Sequence, residues 1–143
     1  MRCVLDASVV LKWFFREAPD EVDTETALAI LQAVSSGGIT MIQPPHFLAE
    51  VAAVLIREKP DAARLDVMDL IMLDWSALDD ARIYSDAMDL ASDLSHHLFD
   101  TLYHATARAI EGAVLITADR RYWRKAEALG GVVLLSDFEV HQL

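Results

Sequence analysis

The sequence has few of the residues that staple, break or positively charge a chain. A single cysteine, Cys3, in 143 residues excludes an intramolecular disulfide and a cysteine-based zinc site. Glycine and proline are scarce, no low-complexity tract occurs, and 54% of residues belong to the AVILMFWYC set, so disorder is excluded as the dominant state. No apolar run reaches the ~18 residues that a membrane span needs. The opening MRCVLDAS carries one Arg and is interrupted by Asp6, which spoils a secretory leader. The expectation is a cytoplasmic protein without membrane association, folded as one domain over residues 1–143. Positive charge is also short: 12 Lys and Arg face 23 Asp and Glu, for a net −11. That balance argues against a binder that tracks nucleic acid by covering phosphates with basic side chains. It leaves open an enzyme on nucleic acid, because divalent cations can sit between carboxylates and phosphate. The charge is segregated, with acids crowding residues 58–100 and Arg120, Arg121, Arg124 and Lys125 clustered after Asp119.

Hydrophobic spacing gives strands alternating with helices. Short apolar runs at residues 2–6, 39–43, 113–117 and 132–135 read as strands. Between them helical spacing recurs: from Val9 to Phe14 with Ser8 as a cap, over 24–34, after Pro44-Pro45 through Leu55, after Pro60-Asp61, through Ile83 to Leu94, over 99–110 and over 121–129. Residues 74–80 (DWSALDD) read poorly as any element. Alternation of this kind predicts a three-layer α/β/α domain around a parallel sheet with right-handed crossovers.

In such sheets ligands gather at the carboxyl ends of the strands. Asp6 follows Cys3-Val4-Leu5 at one such end and Asp119 follows Leu115-Ile116-Thr117 at another, although an acid there also serves as a turn or cap residue. Glu50 lies roughly 60° from Phe47 and about 40° from Val54 on a helical wheel, at the border of the apolar stripe. A carboxylate there costs several kcal/mol unless it is paired, metal-bound or reaches water. Asp100 opens a helix whose next turns are apolar, where a first-turn acid also suits the helix dipole. Acids from four separate elements that converge need a cation. With no cysteine and no paired-His motif, Mg²⁺ or Mn²⁺ fits best, and the chemistry is metal-assisted phosphoryl transfer by an activated water.

The segments VLDASVVLKWF (4–14), PPHFLAEVAAVL (44–55), HHLFDTLYHATA (96–107) and LITADRRYWRKA (115–126) together resemble the PIN-domain ribonucleases, and particularly the VapC-type toxins of toxin–antitoxin pairs. The resemblance spans essentially the whole chain. It implies a PIN-like fold with a parallel sheet of about five strands and Mg²⁺- or Mn²⁺-dependent endonucleolytic cleavage of RNA. Asp6, Glu50, Asp100 and Asp119 take the family's catalytic, metal-binding positions. Ser8 and Thr117 match its hydroxyl residues and are expected on the substrate side. The resemblance also implies a homodimer held inactive by a cognate antitoxin that brings basic residues to the acidic groove. Two departures stand out: the strand due near 74–80 is weak, and RRYWRKA lacks the further acid some members carry.

Arg120, Arg121 and Arg124 are expected to meet RNA phosphates flanking the cleaved bond, against the alternative of a solvated helix face, and Lys12 and Arg16 share that reading. His104, four residues after Asp100, raises zinc, but no H-x-x-x-H spacing supports it. The surplus of aromatics at Trp13, Phe14 and Phe15 suggests an exposed interface. Two rival functions are a Mg²⁺-dependent phosphatase using Asp6, weakened by Ser8 where many such enzymes carry a second Asp, and a non-catalytic PIN-like RNA- or protein-binding module.

Overall fold

The computed structural model describes residues 1–140. The elements in order are β1 (Arg2–Leu5), α1 (Ala7–Phe14), α2 (Thr24–Ser35), β2 (Thr40–Gln43), α3 (Phe47–Glu58), α4 (Ala63–Met72), β3 (Trp75–Ala77), α5 (Ala81–Leu94), α6 (Leu98–Arg108), β4 (Ala113–Thr117), α7 (Arg120–Ala126) and β5 (Val132–Leu134). The five strands form one parallel sheet in the order β3-β2-β1-β4-β5. β1 lies at the centre with Cys3, Val4 and Leu5 fully buried, as befits a strand covered on both faces. Burial pushes the Cys3 thiol up to about 11, so it is inert packing.

The connections from β1 to β2 and from β2 to β3 step one way along the sheet, and those from β3 to β4 and from β4 to β5 step the other. Right-handed crossovers therefore put α1 to α4 over one face and α5 to α7 over the other, consistent with α1 packing on α3 and α5 on α6. The winding reverses between β1 and β4, so a crevice opens beyond their carboxyl ends. Asp6 N–H extends the ladder by donating to the Ile116 carbonyl at 3.0 Å.

Three expectations are adjusted. α1 begins at Ala7, with Asp6 at the N-cap position and no side-chain cap bond, so Ser8 does not cap it. Residues 74–80 do hold a strand, only three residues long, at the sheet edge. Its polar neighbours are tolerated there because only one side is paired, and Trp75 anchors it edge-on against Phe47 with its indole N–H donating to the Leu70 carbonyl at 2.8 Å. Trp13 is buried, its indole N–H on the Ala27 carbonyl, and Phe14 and Phe15 pack against the core. Exposed apolar side chains occur elsewhere, among them Leu65, Met68, Ile71 and Met72 on α4. No helix among the described residues is long and apolar enough to cross a membrane.

Candidate active site

Parallel strands deliver the chain from strand carboxyl ends into helix amino ends, and three of the predicted acids stand at such junctions, while Asp100 opens α6 directly after α5. Asp6 and Asp119 are the N-cap residues of α1 and α7, and Glu50 and Asp100 lie in the first turns of α3 and α6. Each meets the positive end of a helix dipole, worth roughly 0.3–1 kcal/mol to a carboxylate. That partly offsets their crowding.

Asp6 is 8% exposed. Its Oδ2 accepts from Ser8 Oγ, a short contact, and from Thr117 Oγ1 at 3.1 Å. Burial is the main cause that pushes its carboxyl up to about 7; the charges of Asp100 and Glu50 add to the rise and the two hydroxyls oppose it. The same hydroxyls accept in turn from backbone N–H groups, Ser8 from Ala118 and Thr117 from Asp119, both at 3.0 Å. They therefore lock the loop after β1 to the loop after β4. Thr117 is 1% exposed and Ser8 half-buried, and both hydroxyls, expected on the substrate side, are engaged by protein groups.

Glu50 Oε2 accepts from Tyr103 Oη at 2.9 Å and lies 3.3 Å from His46 Nε2. Burial, then the charges of Glu50, Asp6 and Asp100, push the Tyr103 pKa upward, so it remains a phenol and a donor. His46 Nε2 is also 2.9 Å from the Phe99 carbonyl, which ties α3 to the start of α6. Behind Asp6, the fully buried Gln43 side chain accepts from Leu5 N–H and donates to Leu5 C=O, both at 2.7 Å. It continues the pairing of β1 with β2 where the strands part.

Asp100 Oδ2 faces His96 Nε2 at 2.7 Å. Its pKa is raised, chiefly by burial and further by Glu50 and Asp119, while His96 opposes the shift. Asp119 Oδ1 caps α7 by accepting from Tyr122 N–H at 3.1 Å. Single ligand atoms of His96, Asp100 and Asp119 lie within 4.8 Å of one another. Asp100 is thus the hub, electrostatically coupled to Asp6, Glu50 and Asp119.

The four carboxylates share a pattern. Each turns one oxygen to protein donors, and among the described residues Asp6 Oδ1, Glu50 Oε1, Asp100 Oδ1 and Asp119 Oδ2 accept nothing. None of these is sealed, since His46 Nδ1 is the sole buried side-chain nitrogen or oxygen without a partner there. Oriented, accessible carboxylate oxygens in a crowded anionic cleft are the donor set that a hard divalent cation requires. Zinc on His104 does not fit. That ring is fully buried, with Nδ1 accepting from Tyr122 Oη and Nε2 donating to the Gly130 carbonyl, both at 2.9 Å, and burial lowers its pKa.

Arg120, Arg121 and Arg124 are exposed along α7, and Arg121 lines a cleft of about 340 Å³ with Ser95, His96 and His97. Lys12 is buried and paired with Glu21 at 3.0 Å, which removes it from the rim. Sequence reasoning missed His46, Tyr103 and His96 as partners of the acids, and Gln43 as the link from β2 to Leu5. His46 and His96 each left a signal, the four-residue spacing to Glu50 and to Asp100, and the second was read on the opposite side towards His104.

A PIN domain family model matches residues 3–128. The chain belongs to the PIN-domain family. No curated protein matches the sequence. Among solved structures, this PIN domain is similar to VapBC2 from Rickettsia felis bound to a DNA fragment from its promoter (17% identity, 94% of this chain and 97% of that one, TM-score 0.64). It is similar to PAE2754 from Pyrobaculum aerophilum (18%, 95% and 90%, TM-score 0.65). It is also similar to VapBC-1 from nontypeable Haemophilus influenzae (12%, 96% and 100%, TM-score 0.66). At these identities the likeness speaks to the fold.

Proposed function

We propose that this PIN domain is a divalent-cation-dependent endoribonuclease, the toxin of a toxin–antitoxin pair, that hydrolyses RNA phosphodiester bonds in the cytoplasm. The observation that carries the reading is the divided use of four carboxylates, one oxygen of each held by the protein and the other free, at the point where the sheet's winding reverses. Asp6, Glu50, Asp100 and Asp119 would hold Mg²⁺ or Mn²⁺. Such an ion supplies a nucleophilic water near neutral pH and neutralises charge on the phosphate. The chain's own residues orient and exclude. Ser8 and Thr117 fix Asp6, Tyr103 and His46 fix Glu50, and a free carboxylate oxygen takes the proton of the attacking water. Arg120, Arg121 and Arg124 meet the flanking phosphates.

The Rickettsia and Haemophilus structures are of VapBC pairs, and on that likeness we assign this chain an antitoxin partner. A groove of about 340 Å³ lined by Trp13, Phe14, Arg16, Glu17, Lys59 and Leu70 and, on another face of α4, the exposed Leu65, Met68, Ile71 and Met72 offer surface for it and for a second copy in a homodimer. The net −11 favours a partner segment carrying basic residues. A phosphatase that phosphorylates Asp6 is less well supported, because Ser8 stands two residues on where many such enzymes carry a second Asp. The test is cleavage of a structured RNA pool by purified, partner-free protein with Mg²⁺, Mn²⁺ or EDTA. Cation-dependent cleavage that is lost in Asp100→Asn is the expected result. A chain that binds cation by calorimetry yet cleaves no RNA would refute the nuclease, and one that binds none would favour the non-catalytic module.

A further inference from the structure

Asp100 is the hub of the site, and what sets its orientation is a ring that the proposed reaction has not used. His96 follows Ser95, whose left-handed backbone (φ 48°) ends α5 and turns the chain back towards α6. The His96 side chain is 5% exposed and packs against the Tyr122 ring, with centroids 4.9 Å apart. Both ring nitrogens are engaged. Nε2 is 2.7 Å from Asp100 Oδ2, and Nδ1 is 3.2 Å from Lys125 Nζ. Lys125 in turn donates to the Ser95 carbonyl at 2.9 Å, which anchors the ammonium on the turn that presents the ring.

An ammonium has donors and no acceptor. A proton on His96 Nδ1 would point at those donors, so Nδ1 must be the bare nitrogen and Nε2 must carry the hydrogen that Asp100 accepts. We infer that Lys125 fixes His96 as the Nε2–H tautomer, and that His96 is a positioning residue which turns Asp100 Oδ2 inward to the protein and leaves Oδ1 for the cation. His96 is therefore not itself a ligand, although it lies within ligand distance of Asp100 and Asp119. Lys125, counted by sequence among the basic residues of α7, acts on the inside of the site. Outer partners of this kind typically change metal affinity 10- to 100-fold when removed. The inference rests on the cation-binding reading of the four acids for its consequence, though the tautomer is a property of the chain alone.

Two measurements test it. In the apo protein, ¹⁵N-detected imidazole NMR should show His96 protonated at Nε2 and bare at Nδ1, and Lys125→Met should shift that balance. Calorimetric titration with Mn²⁺ and with Mg²⁺ should then show His96→Ala weakening both ions to a similar degree, 10- to 100-fold. His96→Gln, whose amide N–H can replace the Nε2–H, should return to within about threefold of wild type, and thermal melts confirm that each variant is folded. If His96→Ala and His96→Gln both lose Mn²⁺ far more than Mg²⁺, the ring is a direct ligand and the inference is overturned. Unchanged affinity in His96→Ala, or a proton found on Nδ1, also overturns it while leaving the four-acid site standing. A wild-type chain that binds neither ion overturns the cation reading itself and the positioning role with it.

Discussion

Asp6 and Asp100 sit in the same cleft and are held by opposite means. Asp6 is nearly sealed and meets two neutral hydroxyls, which direct its Oδ2 but supply no charge, and its carboxyl stands at about 7. Asp100 is shallower, its side chain 27% exposed, and meets an imidazole backed by an ammonium. Burial raises its pKa too, yet the hydrogen bond from His96 opposes the shift. Neutral donors fix geometry and leave the electrostatic cost of a buried carboxylate unmet. The deep acid therefore depends on a cation for its charge, whereas the shallow one is already polarised by the chain.

The largest effect should come from neutralising the hub. Asp100→Asn is expected to lower RNA cleavage about a thousandfold, a loss of several kcal/mol of charge stabilisation, and more than Asp119→Asn, because Asp100 is coupled to all three other acids. Single-turnover rates at saturating Mn²⁺ check this, and equal losses would remove Asp100 from the centre of the cluster.

The next contrast is in stability. The folded carboxyl of Asp6 stands at about 7 against an ordinary 3.8, so the folded chain keeps a proton that the unfolded chain gives up. Stability of the cation-free protein should therefore fall as pH rises from about 4 to 7 and then level, by on the order of a few kcal/mol from this group. Urea unfolding in EDTA at pH 5 and pH 8 measures it. Asp6→Asn should flatten the difference and unfold later than wild type at pH 8, and Asp100→Asn should flatten it less. An Asp6→Asn chain no more stable than wild type at pH 8 would break the comparison.

Removing a hydroxyl sharpens it further. Thr117→Val takes a donor from Asp6 and an acceptor from Asp119 N–H, and should cost about 1–2 kcal/mol with roughly a tenfold loss of cleavage, since one oriented carboxylate is released. Thr117→Ser should recover both in the same assays. The smallest effect belongs to the rim. Arg121→Ala should weaken RNA binding a few-fold and reduce the salt-dependence slope by about one, with the cleavage rate of bound RNA unchanged. A changed rate with an unchanged slope would place Arg121 in the chemistry.

The layered fold was legible from sequence because a continuous apolar run bounded by turn signals, such as AVLIT, can be buried only between two layers. The third strand was not. A three-residue strand at the sheet edge needs only one partner and one anchor, so Trp75 suffices and the pattern around it stays polar. The acids were legible because Asp6 and Asp119 follow apolar strands directly and Glu50 sits at the margin of an apolar stripe. The donors that aim them were not, since Tyr103 looks like an ordinary packing residue until the fold brings Glu50 against it.

By itself, then, the sequence determined the alternation of strands and helices, the excess of negative charge and the four carboxylates at element junctions, because these follow from local periodicity and composition. Only the tertiary structure decided which oxygen of each carboxylate is held and which is free. It also took the hydroxyls of Ser8 and Thr117 inward and set Lys125 behind His96. Those outcomes depend on contacts between residues as much as 111 positions apart, from Thr117 to Asp6, which no local pattern encodes.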